Sequence, residues 1–366
     1  MRTQLAFAAG VLLLVSELGA CATPTAQTPL TPSPTLAPPL VTPTPIPSGS
    51  RVVKAQITSA ALAGNLIGDP ATRDYYVYLP PGYDSGDMRY PVVFVLHGYP
   101  LDASYWVGRL PRKENQLLDE DQIRPMILVF PDAYNAFGGS WYLSSPTIGD
   151  YETYITEELV AEVDANFRTL PSRESRGITG CSVGGYGALH LGLEHPDVFS
   201  VAAPMSGVSE VWEPSGFEFP LEPHNFDEFS ALPVMTQLLI ALTAAAAPNP
   251  DNPPFYLDMP FTLVDGEPQT VPEVFERINA LLNPANDLSR YLNQPIRLSG
   301  FMIVQDTDLG EPDGPEATER ALKAPRAFDK TLTEAGVDHE YLEVEGCHCC
   351  ADWGPILVFL SEHLAQ

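Results

Sequence analysis

Gly180, Ser182 and Gly184 are spaced two apart, between a β-branched stretch at Ile178-Thr179 and a run of helix formers from Val183. A serine on a tight strand-to-helix turn exposes its Oγ, and flanking glycines let the backbone pass that closely. Ser182 is therefore expected to be a nucleophile. The helix that follows supplies the backbone N–H of Val183 and a positive dipole end, both suited to an oxyanion.

A serine nucleophile needs a base, and the spacing points to His348 in Gly346-Cys347-His348-Cys349-Cys350, behind an apolar strand and ahead of Trp353 and a final helix. The other six histidines fit less well. His97 precedes the elbow, His190 and His195 lie on or past its helix, and His224, His339 and His363 fall in an insertion, a strand approach and the last helix. Between nucleophile and base an acid should follow a strand, and Phe301-Met302-Ile303-Val304 leads into Gln305-Asp306-Thr307-Asp308. Asp308 is expected to accept the Nδ1–H of His348 and stabilise the imidazolium. Asp306 and Asp313 are the other carboxylates in play.

These residues require a scaffold, and the flanking pattern supplies one. Residues 52–57 and 74–79 read as paired antiparallel strands, while 91–96 and 126–130 are continuous apolar runs of the kind buried on both faces of a parallel sheet. Helical spacing of Tyr151, Tyr154, Ile155, Leu159, Val163 and Phe167 separates them from the elbow. The alternation predicts an α/β fold: a doubly wound, mostly parallel sheet.

At 366 residues the chain can bury such a core plus an insertion. Its net charge of −28, from 47 acidic and 19 basic residues, argues against nucleic acid or anionic headgroups as partners. Arg2 precedes an apolar stretch from Leu5 to Val15 that ends in Leu18-Gly19-Ala20-Cys21. This resembles a bacterial lipoprotein leader, residues 1–21, with Cys21 as the lipidated first residue of the mature chain. Residues 22–50, with nine prolines and seven threonines, read as an unstructured tether. The expected catalytic domain is 51–366, with an insertion at 208–294 that carries helices at 234–247 and 271–282 and is read as a lid or cap.

The chain resembles the esterase group of α/β-hydrolases that includes esterase D, feruloyl esterases, enterochelin esterase and the mycolyltransferases. The residues that carry the likeness are Tyr78-Leu79-Pro80-Pro81-Gly82-Tyr83, Leu96-His97-Gly98, Ser140-Trp141-Tyr142, the elbow through Ala188, and the histidine loop ending in Trp353. The resemblance implies a second oxyanion N–H from Tyr99, and it places Trp141 and Tyr142 beside the acyl group. Cys181 adjoins the nucleophile and Cys349 the base, which resembles the CS-D-HC arrangement of tannases and fungal feruloyl esterases, where the two cysteines are bridged. Cys347 and Cys350 could then form a short bridge with each other, and either could instead take the place of Cys349 opposite Cys181. A zinc site of three cysteines and His348 is the competing reading; no other cofactor or metal is implied.

Together these readings imply an extracytoplasmic serine carboxylic ester hydrolase, held to a membrane only through its N-terminal lipid and acting on a small-molecule or polysaccharide-linked ester, feruloyl esters among them. An acyltransferase on the same scaffold and a catalytically dead surface binding protein are the alternatives.

Overall fold

The computed structural model describes residues 49–208, 212–308 and 315–365, with the side chains of residues 308, 315–317 and 320 excepted. The leader with Cys21, the tether up to residue 48, and Asp313 lie outside the described residues. Everything that follows concerns the compact unit Thr44–Gln366.

Eight strands form one sheet: β1 (Arg51–Thr58), β2 (Thr72–Leu79), β3 (Val92–Leu96), β4 (Ile127–Pro131), β5 (Arg176–Cys181), β6 (Val201–Met205), β7 (Gly300–Asp308) and β8 (Glu340–Cys347). Their order is β1-β2-β4-β3-β5-β6-β7-β8. β2 pairs antiparallel with both β1 and β4, in register Arg51↔Leu79 and Tyr75↔Pro131, and the remaining pairs are parallel. β3 to β6 are buried at every position, as strands covered on both faces must be.

Alternation along β3 divides the core in two. Val92, Phe94 and Leu96 face one layer with Tyr151, Ile155 and Leu159, while Val93 and Val95 face the other with Leu110, Leu117, Ile356 and Leu360. The first layer is covered by α2 (Leu159–Asn166), continuing from a π-turn at Tyr154–Glu158, and by α3 (Val183–Glu194). The second is covered by α1 (Leu110–Asp119) and α8 (Gly354–His363). The carboxyl ends of β3, β5, β7 and β8 therefore deliver loops to a single edge of the sheet, where open α/β sheets place their sites.

Insertion 208–294 contributes α4 (Val234–Ala246), α5 (Pro272–Leu282) and α6 (Pro284–Leu292), with α7 (Pro315–Glu334) following β7. It also holds a hairpin of Phe261–Val264 with Glu267–Thr270, turned by Asp265 (φ 54°) and Gly266 (φ 83°). An Asp-Gly pair is a strong hairpin signal that the sequence reading passed over. Among the described residues no helix is long and apolar enough to cross a membrane.

The insertion is fastened to α3, the helix that follows Ser182. Tyr186 Oη donates to the Leu281 carbonyl at 3.1 Å, and the Gln294 amide donates to the Glu194 carbonyl at 2.8 Å. Beside these, buried His190 on α3 has Nδ1 3.2 Å from Asp287 of α6 and Nε2 3.6 Å from Glu152. Arg290 pairs with both Glu194 and Asp287, and His195 lies 3.6 Å from Glu152. Burial alone would lower the pKa of His190, but Asp287 and Glu152 outweigh it and push the value up to about 10. Because the folded value lies above the free value of 6.5, the stabilisation is complete below pH 6.5 and is lost as pH rises through about 10. We therefore expect His190→Gln to cost about 3 kcal/mol at neutral pH, as loss of one partner in a buried ion pair does. The variant should also flatten the fall in melting temperature between pH 6.5 and 10; parallel curves for variant and wild type would remove His190 as the cause.

Candidate active site

Ser182 sits where β5 turns into α3, with φ 60° and ψ −124°. This is an uncommon backbone state for a residue with a side chain, and neighbours on both sides hold it. Its N–H donates to the Met205 carbonyl at 3.1 Å and its carbonyl accepts from Tyr186 N–H at 2.8 Å. The two elbow glycines are required by close approach: a Cβ on Gly180 would lie 2.4 Å from the Gly184 carbonyl oxygen, and one on Gly184 would lie 2.3 Å from that of Leu96.

The loop after β3 lies directly against Ser182, since a Cβ on Gly98 would meet the Cys181 carbonyl oxygen at 3.2 Å and Ser182 Cβ at 3.4 Å. His97 pins this loop. Its Nε2 accepts the Ala133 N–H at 2.9 Å and its Nδ1 lies 3.1 Å from the Gly98 carbonyl, which assigns a neutral ring protonated on Nδ1. Burial lowers its pKa to about 4, so it stays neutral across the physiological range. Tyr99 follows, half-buried, and Val183 opens α3, where a first-turn N–H has no partner within the helix.

Trp141 and Tyr142, expected together beside the acyl group, have different surroundings. Tyr142 is 1% exposed, its ring lies against Gly187 of α3, and its hydroxyl donates to the His97 carbonyl at 2.8 Å. It braces the loop from behind and is closed to substrate, which corrects the expectation of a substrate contact. Trp141 is also buried, stacked edge-on between Tyr186 and Trp212 with both centroids 5.5 Å away, but its indole N–H has no protein partner.

His348 follows β8 and keeps 40% of its side chain exposed. The carboxylate that faces it is Asp306, with Oδ2 3.5 Å from Nδ1. Asp306 is fully buried, and the same Oδ2 accepts the Cys349 N–H at 2.7 Å while the Gln305 amide lies 3.3 Å from Oδ1. Its own N–H donates to Ser206 Oγ at 3.2 Å, a support no sequence signal marked. Asp308, the residue expected to serve as the acid, pairs by its backbone with Cys347 past a register shift in the β7–β8 ladder. Among the described side chains the carboxylate facing His348 is thus that of Asp306, one of those weighed from sequence.

Cys349 adopts φ 62° and is bonded to Cys181, with Cα atoms 5.7 Å apart across a sequence separation of 168. Each half of this bridge is the chain neighbour of Ser182 or His348. Cys347 and Cys350 form a second bridge. With all four sulfurs bonded, no thiolate is left for the zinc reading.

Against known proteins, residues 70–243 match the family described as Putative esterase. Residues 70–243 are thus similar to this esterase family, and the fold is that of the α/β-hydrolases. An esterase of Mycobacterium tuberculosis is 26% identical over 280 residues, covering 74% of this chain and 51% of the relative. The chain thus spans about half the length of that curated relative. A xylanase/feruloyl esterase of Xylanibacter ruminicola is 29% identical over 142 residues, covering 36% of this chain and 19% of the relative. A solved ferulic acid esterase superposes with TM-score 0.54 at 19% identity over 86% of this chain and 99% of that one. The S-formylglutathione hydrolase of Staphylococcus aureus gives 0.52 at 16%, over 85% and 97%. At these identities the structures speak to the fold.

Two substitutions test the assignment of the acid. Asp306→Asn should lower kcat for a p-nitrophenyl ester by about 10³–10⁴-fold by favouring the wrong imidazole tautomer, as happens in the serine-protease triad. Asp308→Asn should leave kcat within a factor of about three, the effect of a group outside the transition state; the opposite ranking would return the role to Asp308. Replacing Cys181 and Cys349 together by serine should cost about 3–5 kcal/mol of unfolding free energy on the chain-entropy account of long loops, read from urea denaturation.

Proposed function

We propose that the protein is a serine carboxylic ester hydrolase working through an acyl-enzyme, with Ser182 as nucleophile, His348 as general base and Asp306 as its orienting carboxylate. The observation that carries this reading is one connected unit: the Asp306 carboxylate faces His348 Nδ1 and holds Cys349 N–H, and Cys349 is bonded to the neighbour of Ser182. In the first half-reaction Ser182 Oγ attacks the ester carbonyl carbon as its proton passes to His348 Nε2. The N–H groups of Tyr99 and Val183 take the negative charge on the carbonyl oxygen, and His348 then returns the proton to the departing alcohol. Water, activated by the same imidazole, attacks the acyl-enzyme and releases the acid.

An aromatic acyl group is the favoured substrate, on a small alcohol or on a polysaccharide. Two observations support it: the column of Tyr186, Trp141 and Trp212 beside the elbow with an unpaired indole N–H, and the feruloyl esterases among the relatives and structural neighbours. The lipoprotein-like leader supports an extracytoplasmic enzyme tethered through Cys21. Transfer of the acyl group to a sugar hydroxyl would use the same serine, histidine and oxyanion groups, and product analysis with and without a sugar acceptor separates it from hydrolysis.

Ser182→Ala should abolish hydrolysis of p-nitrophenyl acetate and methyl ferulate, and labelling by a fluorophosphonate, with an unchanged melting temperature. Loss of Ser and His partners in such triads costs about 10⁶-fold in kcat, so residual activity of even a few per cent would refute the nucleophile. In the wild type, methyl ferulate should exceed p-nitrophenyl octanoate in kcat/KM; the reverse order would refute the aromatic acyl preference.

A further inference from the structure

The two disulfides of the histidine loop differ in one respect that matters for chemistry. Cys181 is fully buried and Cys349 is 9% exposed, whereas Cys347 and Cys350 both lie open to solvent. The outer bridge closes a ring of four residues, Cys347-His348-Cys349-Cys350, and His348 is inside that ring. The ring is built as a tight turn: Cys350 N–H donates to the Cys347 carbonyl at 2.9 Å, and Gly346, at φ 147°, lets the chain fold back until a Cβ there would lie 2.8 Å from Ala351 Cα.

His348 itself has few restraints. Its imidazole faces Asp306 at 3.5 Å and is otherwise 40% exposed, so its position depends on the backbone on either side. Downstream, Cys349 is fixed by the Asp306 carboxylate and by the inner bridge. Upstream, Cys347 is tied to the fixed half of the loop through its bond to Cys350.

We propose that Cys347–Cys350 is a thiol–disulfide exchange site, reducible by an external dithiol while Cys181–Cys349 stays closed, and that its state sets how firmly the catalytic histidine is held. An incoming thiolate attacks one sulfur of the outer bridge, the other leaves as a thiolate and takes up a proton, and the second thiol of the reductant resolves the mixed disulfide. Two electrons and two protons pass to Cys347 and Cys350, and the reductant leaves as its own disulfide. Access decides the order, because exposed bridges exchange readily and buried ones do not. After reduction Asp306 and the inner bridge still hold Cys349, so the site loosens without coming apart. This inference rests on His348 being the base of the proposed esterase.

The test is a titration of the full-length protein with mixtures of reduced and oxidised dithiothreitol, reading differential alkylation of each cysteine by mass spectrometry alongside kcat and KM for p-nitrophenyl acetate. Cys347 and Cys350 should become alkylated before Cys181 and Cys349, with kcat falling about fivefold from the misplaced base, KM unchanged and recovery on reoxidation. The double variant Cys347→Ser, Cys350→Ser should show the lower kcat permanently and ignore the titration. Simultaneous opening of both bridges, an unchanged kcat when only the outer one opens, or a fully active double variant would each overturn the proposal. Fluorophosphonate labelling of Ser182 in the oxidised protein separates the two readings. If Ser182 labels but kcat ignores the bridge, the exchange site alone falls; if it does not label, the esterase reading falls and this one with it.

Discussion

A carboxylate with no exposed surface is tolerated only when protein groups replace its water, and Asp306 is such a carboxylate. Its requirement for donors organises the site. The Cys349 N–H satisfies Oδ2, which draws the loop after β8 back onto the end of β7 and holds Cys349 in a left-handed conformation that a cysteine seldom adopts. With that loop in place Nδ1 of His348 lies 3.5 Å from the same oxygen, and Sγ of Cys349 reaches Cys181 in the second core layer. One buried carboxylate thus sets the positions of His348, Cys349 and the inner bridge.

Ser182 is constrained by a different force, the exclusion of side-chain volume. β3 and β5 approach so closely at their carboxyl ends that Gly180 and Gly184 leave no room for a Cβ, and Gly98 brings the oxyanion loop against Ser182 from the other side. His97 and Tyr142 make that approach permanent through hydrogen bonds to the loop's own backbone. A neutral, buried histidine suits this task because its two nitrogens can meet one donor and one acceptor without carrying a charge into the core. The uncommon backbone state of Ser182 persists because its surroundings over-determine it.

The insertion connects to this arrangement through α3. Helices α5 and α6 lie along the helix that begins at the nucleophile, joined by Tyr186 and by the ion cluster around His190, and Trp212 extends the contact to Trp141. Bonds that hold the insertion in place therefore act on the same helix that begins directly after Ser182.

Much of this was legible in the chain itself. Central strands announce themselves because burial on both faces demands continuous apolar runs, and the elbow does so because its geometry admits only glycine at two fixed positions. His348 was singled out by its place between a strand and the last helix, and it lies 3.5 Å from a buried carboxylate. Which carboxylate faces His348 did not follow, since Asp306 and Asp308 are two residues apart on one strand and strand alternation cannot tell them apart. The return path of the β8 loop and the register shift between β7 and β8 decided it. Trp141 and Tyr142 were equally indistinct as adjacent aromatics, both in left-handed backbone, and only packing turned one behind the oxyanion loop and the other toward Trp212. Periodicity and glycine spacing are local properties that a sequence determines by itself, whereas the partner of a buried charge is chosen by groups distant in the chain, and only the tertiary structure brings those together.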